Sequence, residues 1–254
     1  MVIAPTEVDL MCKGKVAIVT GAAGSGMGRS IALTLAHKGA GVVVNYRTGV
    51  ERAEAIVDHI RQRGGSAIAV RADVFEADGC KRLVDAAVAQ FGRVDICVVG
   101  PGGGWHPEPP EGLASIAALE DVRQELAPLF YLMPLVLPGM YERRWGRIIG
   151  LAMHPEQVSP AYAYNVGKAA RVQALLLAQQ QAWRQGVTVN VMAPGPVAEI
   201  ESLRAAIEMC DHGAVWRQRQ DVTPQDIAEG VVFLCSEAGR FITGCVVPYV
   251  FRGL

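Results

Sequence analysis

Two side chains in the segment AYAYNVGKAAR carry the first chemical signal: Tyr164 and Lys168 stand four residues apart at the start of a helical pattern. Residues i and i+4 share one helix face. An ammonium fixed beside a phenol favours the phenolate and draws its pKa down from about 10. The pair is therefore suited to pass a proton to or from a carbonyl oxygen. Taken alone, the spacing more often marks two ordinary helix-surface residues, so the rest of the chain decides its weight.

The stretch 15–38, KVAIVTGAAGSGMGRSIALTLAHK, is the element around which such a pair would work. Val16 to Val19 is a short apolar run suited to a buried parallel strand, and Ile31, Leu33, Leu35 and Ala36 mark an amphipathic helix. Between them lie Gly21, Gly24, Gly26 and Gly28, with only Ala, Ser25 and Met27 interspersed. A strand that turns through glycines into a helix aims unpaired N–H groups and the positive end of the helix dipole at one point. Such a point suits a diphosphate, and the bare glycines let it approach. That context, rather than the glycine cluster itself, predicts dinucleotide binding.

Strand-like runs at 16–19, 41–45, 67–70, 94–99, 147–152, 187–193 and 245–250 alternate with helical patterns at 26–38, 50–63, 76–91, 115–141, 162–185 and 224–236. This alternation predicts βαβ crossovers, hence an α/β fold with a doubly wound parallel sheet covered on both faces. No linker or repeat interrupts it, so a leader (1–13) and one domain (14–254) are expected. Two stretches read as irregular: the Gly/Pro loop 101–112 and the segment 198–221, which carries Trp216 and is suited to a substrate lid. Pro128, Pro134 and Pro138 predict a kinked or broken 115–141 helix.

At 254 residues, 51% hydrophobic and 19% charged, the composition is that of a globular, core-rich chain. A net charge of -1 gives no reason to expect nucleic acid or an anionic membrane as partner. No run approaches a membrane span, and Glu7 and Asp9 sit where a secretory signal would be apolar. The six cysteines are scattered, with Cys97, Cys235 and Cys245 in apolar runs that predict core positions. A reducing, cytoplasmic setting is expected. No His/Cys/carboxylate set has metal-ligand spacing, so no metal is expected, and no GxSxG elbow is present.

Several motifs in order raise the weight of the Tyr–Lys pair. From about Lys13 onward the chain resembles the short-chain dehydrogenase/reductase family, most closely its 3-oxoacyl-carrier-protein-reductase-like branch. TGAAGSGMG (20–28) is similar to the family's glycine loop, with one extra residue, and Ala72-Asp73-Val74 matches the acidic position that contacts the adenine. The family's NNAG falls on Val99-Gly100-Pro101-Gly102, and YNVGK is its Tyr-x-x-x-Lys motif. NVMAPGPV (190–197), with Pro194, Gly195 and Val197, matches the segment that holds the nicotinamide side, and FITG (241–244) the segment before the last strand. The resemblance implies a Rossmann sheet of about seven strands, a nicotinamide dinucleotide, and hydride transfer between it and a small-molecule carbonyl or alcohol. It also implies Tyr164 as acid/base, Lys168 on the ribose, and a homo-oligomer, tetramer or dimer.

Cofactor choice is read at the end of the second strand. An Asp there would hold ribose hydroxyls and repel a 2′-phosphate. This chain has neutral Asn45 and Tyr46, then Arg47, whose fork of donors suits a phosphate, so NADP(H) is favoured over NAD(H).

Departures from the pattern are equally specific. The family's catalytic serine falls on Met153, after Ala152, and neither side chain can donate a hydrogen bond to a substrate oxygen. His154 and Ser159 are the nearby candidates to replace it. The asparagine that usually holds a water chain to the lysine falls on Glu125, and the Thr after PG-x-V on Glu199. In other enzymes the loss of one oxyanion donor costs about 3–4 kcal/mol. The alternative is thus a catalytically weak or inactive dinucleotide-binding member acting as sensor or assembly protein, with non-redox chemistry on the same scaffold a third reading. Met153, His154, Trp105 and Trp216 are the candidates to line a substrate pocket, with His106 as a further loop histidine.

Overall fold

The structure, a computed structural model, describes residues 11–113, 115–154, 159–212 and 221–249. Most of the leader, Trp216 with residues 213–220 of the expected lid, and residue 250 of the last strand lie outside the described residues. Seven strands form one parallel sheet: β1 Val16–Val19, β2 Gly41–Tyr46, β3 Ala67–Arg71, β4 Ile96–Val99, β5 Gly146–Leu151, β6 Val187–Pro194 and β7 Val246–Tyr249. Their order is β3-β2-β1-β4-β5-β6-β7, so the winding reverses between β1 and β4. Ligand crevices open at such a switch point, outside the carboxyl ends of the strands.

The helices are α1 Met27–His37, α2 Val50–Gln62, α3 Ala77–Phe91, α4 Ser115–Glu142, α5 Tyr162–Ala182, α6 Leu203–His212 and α7 Pro224–Cys235. Strand residues alternate between two apolar layers, as the pleat requires. Ala17, Val19, Val42 and Val44 join the layer under α1, α2 and α7, whereas Ile18, Val43, Cys97 and Ile148 join the layer under α3, α4 and α5. Both faces are therefore dry, which is why the strands read as continuous apolar runs rather than alternating ones.

Three expectations need correction. Of the kink or break expected in the 115–141 helix, the break is absent: α4 runs as one helix through Pro128, Pro134 and Pro138. Leu129, Leu132, Val136 and Met140 form its fully buried stripe. At about 1.5–3 kcal/mol per buried side chain, that stripe offsets interior prolines that cost about 3 kcal/mol each. The 198–221 segment is not irregular throughout, because Leu203–His212 is helical and buries Ala206 against the core. Cys245 is exposed, since it precedes the edge strand β7, while Cys97 and Cys235 are buried as expected. No helix among the described residues is long and apolar enough to cross a membrane.

Candidate active site

The glycine turn sits under the β1/β4 switch point. Gly21 has φ +64, and its N–H donates to Asn45 Oδ1 at 3.1 Å. A Cβ on Gly28 would stand 2.8 Å from the Gly21 carbonyl oxygen, so only glycine lets α1 start this close to the turn. Gly26 caps α1 without a side-chain hydrogen bond, and a Cβ there would meet nothing within 4 Å. The first N–H groups of α1 thus keep the open, electropositive end that takes an anion. Ser25 and Met27 complete this turn.

A cavity of about 560 Å³ opens beside it, lined among others by Gly21, Gly24, Tyr46, Arg47, Arg52, Asp73, Val74 and Pro101. Its lining brings the guanidinium groups of Arg47 and Arg52 to the side of the glycine turn, a donor set suited to an anionic ligand. Asn45 is buried and fully engaged, its Nδ2 donating to the Ala72 carbonyl at 3.0 Å, so it braces the turn and is not open to a ribose. Arg47 is 61% exposed, 3.7 Å from Asp73, and Arg52 donates to the Ala23 carbonyl at 3.0 Å. Two guanidinium groups therefore border the end of β2. Thr20 clips the crevice together: its hydroxyl donates to the Val98 carbonyl and accepts from the Gly100 N–H.

On the other side of β4, residues 164, 168 and 171 follow one face of α5 at i, i+4, i+7. Tyr164 is half-buried, and the Lys168 nitrogen lies 5.1 Å from its ring centre. The ammonium is taken instead by Glu125 of α4, with Nζ 3.0 Å from Oε1. Arg171, fully buried, stands 2.9 Å from the other carboxylate oxygen. Its guanidinium also donates to the carbonyls of Glu125 at 2.8 Å, Leu151 at 2.9 Å, Gly100 at 3.1 Å, and Pro101. One side chain thus fastens the ends of β4 and β5 to α4.

These charges reverse one expectation. Tyr164 is not lowered by Lys168: burial pushes its pKa up, Glu125 adds to that, and Arg171 opposes it. Burial and then Arg171 push Lys168 below its ordinary value, while Glu125 holds it up.

Ser159 is occupied elsewhere, its hydroxyl donating to Asn165 Oδ1 at 2.8 Å at the start of α5, so it is not a stand-in for the missing serine. Met153 and His154 follow β5 and are part-buried. In the 101–112 loop, Trp105 is 55% exposed, while His106 Nδ1 lies 2.8 Å from Asp121 of α4. On the nicotinamide-side segment, Pro194 ends β6, the Gly195 N–H donates to the Tyr249 carbonyl at 2.9 Å, and Val197 bridges to Val222. Val99 closes β4.

Sequence reading missed Arg171 and Arg29. The first was signalled by its i+7 spacing from Tyr164 on an otherwise apolar helix face. Buried Arg29 donates to the carbonyls of Ser25 at 3.2 Å and of Ile200, tying the glycine turn to the 198–202 stretch. At the amino edge of the sheet a second cavity, of about 490 Å³, gathers His37, Cys210 and Asp211 within 4.8 Å of one another. Linear spacing does not reveal that group, and Arg63 already balances its carboxylate at 2.5 Å.

A parallel sheet in this order, with a glycine turn beneath the switch point and a tyrosine–lysine pair on α5, is an arrangement suited to a dinucleotide ligand. Residues 21–250 match the family described as Enoyl-(Acyl carrier protein) reductase. The 7alpha-hydroxysteroid dehydrogenase of Escherichia coli K12 is 32% identical over 252 residues, covering 94% of each chain. The 3-oxoacyl-[acyl-carrier-protein] reductase FabG of Staphylococcus aureus Mu50 is 33% identical over 245 residues, covering 91% of this chain and 94% of that protein. A solved 7 alpha-hydroxysteroid dehydrogenase, complexed with NADH and 7-oxo glycochenodeoxycholic acid, superposes with a TM-score of 0.83 at 29% identity, covering 97% of this chain and 96% of that one. The chain belongs to the short-chain dehydrogenase/reductase family.

Proposed function

We propose that this protein is an NADP(H)-dependent oxidoreductase of the 3-oxoacyl-carrier-protein-reductase-like branch, acting on a small-molecule carbonyl/alcohol pair with Tyr164 as acid/base. One observation carries the reading. Arg171, on the same helix face as Tyr164 and Lys168, binds the carbonyls of Gly100 and Pro101, and Pro101 lines the glycine-turn cavity. Through Arg171 the helix face of the proton-transfer pair is tied to the rim of the cavity beside the anion-binding turn. The bound dinucleotide supplies or accepts the hydride. Tyr164 passes the proton to or from the substrate oxygen, and Lys168 is within reach of a ribose on the same face. Arg47 and Arg52 support a 2′-phosphate and hence NADP(H) over NAD(H).

The 101–112 loop with Trp105, and Met153 and His154 after β5, shape the substrate side, with the 198–221 segment as its lid. Phe130 and Leu135 on α4, and Val166 and Leu177 on α5, are exposed apolar side chains that support a homo-oligomer, tetramer or dimer. Its setting is cytoplasmic. Oxidation of NADPH over a panel of ketones and aldehydes tests the reading, and a rate that survives Tyr164→Phe defeats the role of the phenol. A second reading, a dinucleotide-binding sensor or assembly protein with little catalysis, draws on Met153 in the serine's place and on Lys168 being held by Glu125. Saturable NADPH binding with no oxidation by any carbonyl would favour it.

A further inference from the structure

Glu125 is more than a lost asparagine, because its surroundings are shaped to it. A Cβ on Gly102 would stand 2.1 Å from its Oε1, and a Cβ on Gly167 would stand 2.7 Å from its Cγ. Glycine at both positions, from two separate elements, leaves the space in which the carboxylate lies. Glu125 and Arg171 are both fully buried, and Lys168 nearly so. Neither carboxylate oxygen has a well-aligned hydrogen bond, so the group is held by the two cations at 3.0 and 2.9 Å. A buried pair that loses one member is strongly destabilised, so the Glu125 and Arg171 charges stand or fall together.

We propose that Glu125, held by Arg171, is a positioning residue that binds the Lys168 ammonium in place of the phenol, so that Tyr164 stays protonated and serves as the proton donor of a carbonyl reduction across the neutral range. The inference rests on the oxidoreductase reading above and adds the working direction of the proton. In the step, the Tyr164 O–H bond breaks as the carbonyl oxygen takes the proton and the carbon takes hydride from the reduced nicotinamide. Solvent then returns a proton to the half-buried phenolate, while Lys168 stays an ammonium and Glu125 a carboxylate throughout. The ionisable groups around the phenol among the described residues are Lys168 and Arg171 on α5 and Glu125 on α4. Asp121 paired with His106 lies one turn earlier on α4, and His154 follows β5.

The test is an ultraviolet tyrosinate titration of the protein alone, with Tyr164 isolated as the difference from Tyr164→Phe, in the parent and in the Glu125→Gln background. Glu125→Gln is expected to move the Tyr164 midpoint down, by about 1–3 pH units for a close like charge removed. Arg171→Gln is expected to move it up, which also keeps the test open should Glu125→Gln fail to fold. General loosening would admit water and lower the midpoint in both variants, so a fall in both overturns the proposal, as does an unmoved midpoint. Where turnover is measurable, the alkaline limb of NADPH-dependent reduction should shift with the titration. A titration shift without turnover by any carbonyl overturns the oxidoreductase reading and the reductive role with it, whereas turnover with an unmoved midpoint overturns only the role of Glu125.

Discussion

The β1–α1 end of the crevice and the β5–α5 end are built from different materials. The first is nearly all backbone: Gly21 at φ +64, Gly28 against the turn, and an α1 whose N-cap, Gly26, makes no side-chain hydrogen bond. The second is nearly all buried charge, with Arg171 joining the ends of two strands and a helix, and Glu125 holding Lys168. A backbone-built site depends on glycine at fixed spacing and has little room to vary. A charge-built site can be rebuilt when partners change together, and here Glu125, Arg171, Gly102 and Gly167 form one such set.

The contrast can be sharpened by breaking each end separately. Tyr164→Phe should lower turnover by about 10²–10⁴-fold while NADPH affinity, read by nucleotide fluorescence, stays within about twofold. Gly28→Val should do the reverse of a chemical lesion, weakening NADPH binding by about a hundredfold, or ~2.8 kcal/mol, because the branched side chain meets the Gly21 carbonyl oxygen. At the charged end, Arg171→Met should leave Glu125 without its second partner and cost about 3–5 kcal/mol of stability in denaturant unfolding. Glu125→Leu combined with Arg171→Met should cost less than the sum of the two single losses, and strict additivity would show that the two charges are not coupled. The smallest effect is expected at the rim, where Arg47→Ala should weaken NADPH by about tenfold, or ~1.4 kcal/mol, and leave NADH unchanged.

Legibility followed the same division. The glycine turn, the strand–helix alternation and the Tyr164–Lys168 face are local patterns, and each lies where its spacing puts it. Glu125 was visible only as a departure from a family pattern, because its partners come from another helix and no local period links them. The expected lowering of Tyr164 by Lys168 failed for that reason: a carboxylate distant in sequence lies 3.0 Å from the ammonium. Intact α4 was hidden behind its three prolines, since propensity is local and the buried stripe that outweighs it is tertiary. The His106–Asp121 contact, at 2.8 Å, likewise joins a loop to a helix turn that the sequence does not pair.

The most direct measurement is a crystal structure of the protein grown with NADPH. The account predicts the diphosphate on the Gly21–Gly28 turn and the adenosine end beside Arg47. The nicotinamide should lie in the part of the crevice bordered by Tyr164 and Lys168. A crevice left empty at saturating nucleotide, or a nicotinamide bound away from the Tyr164 phenol, would contradict it.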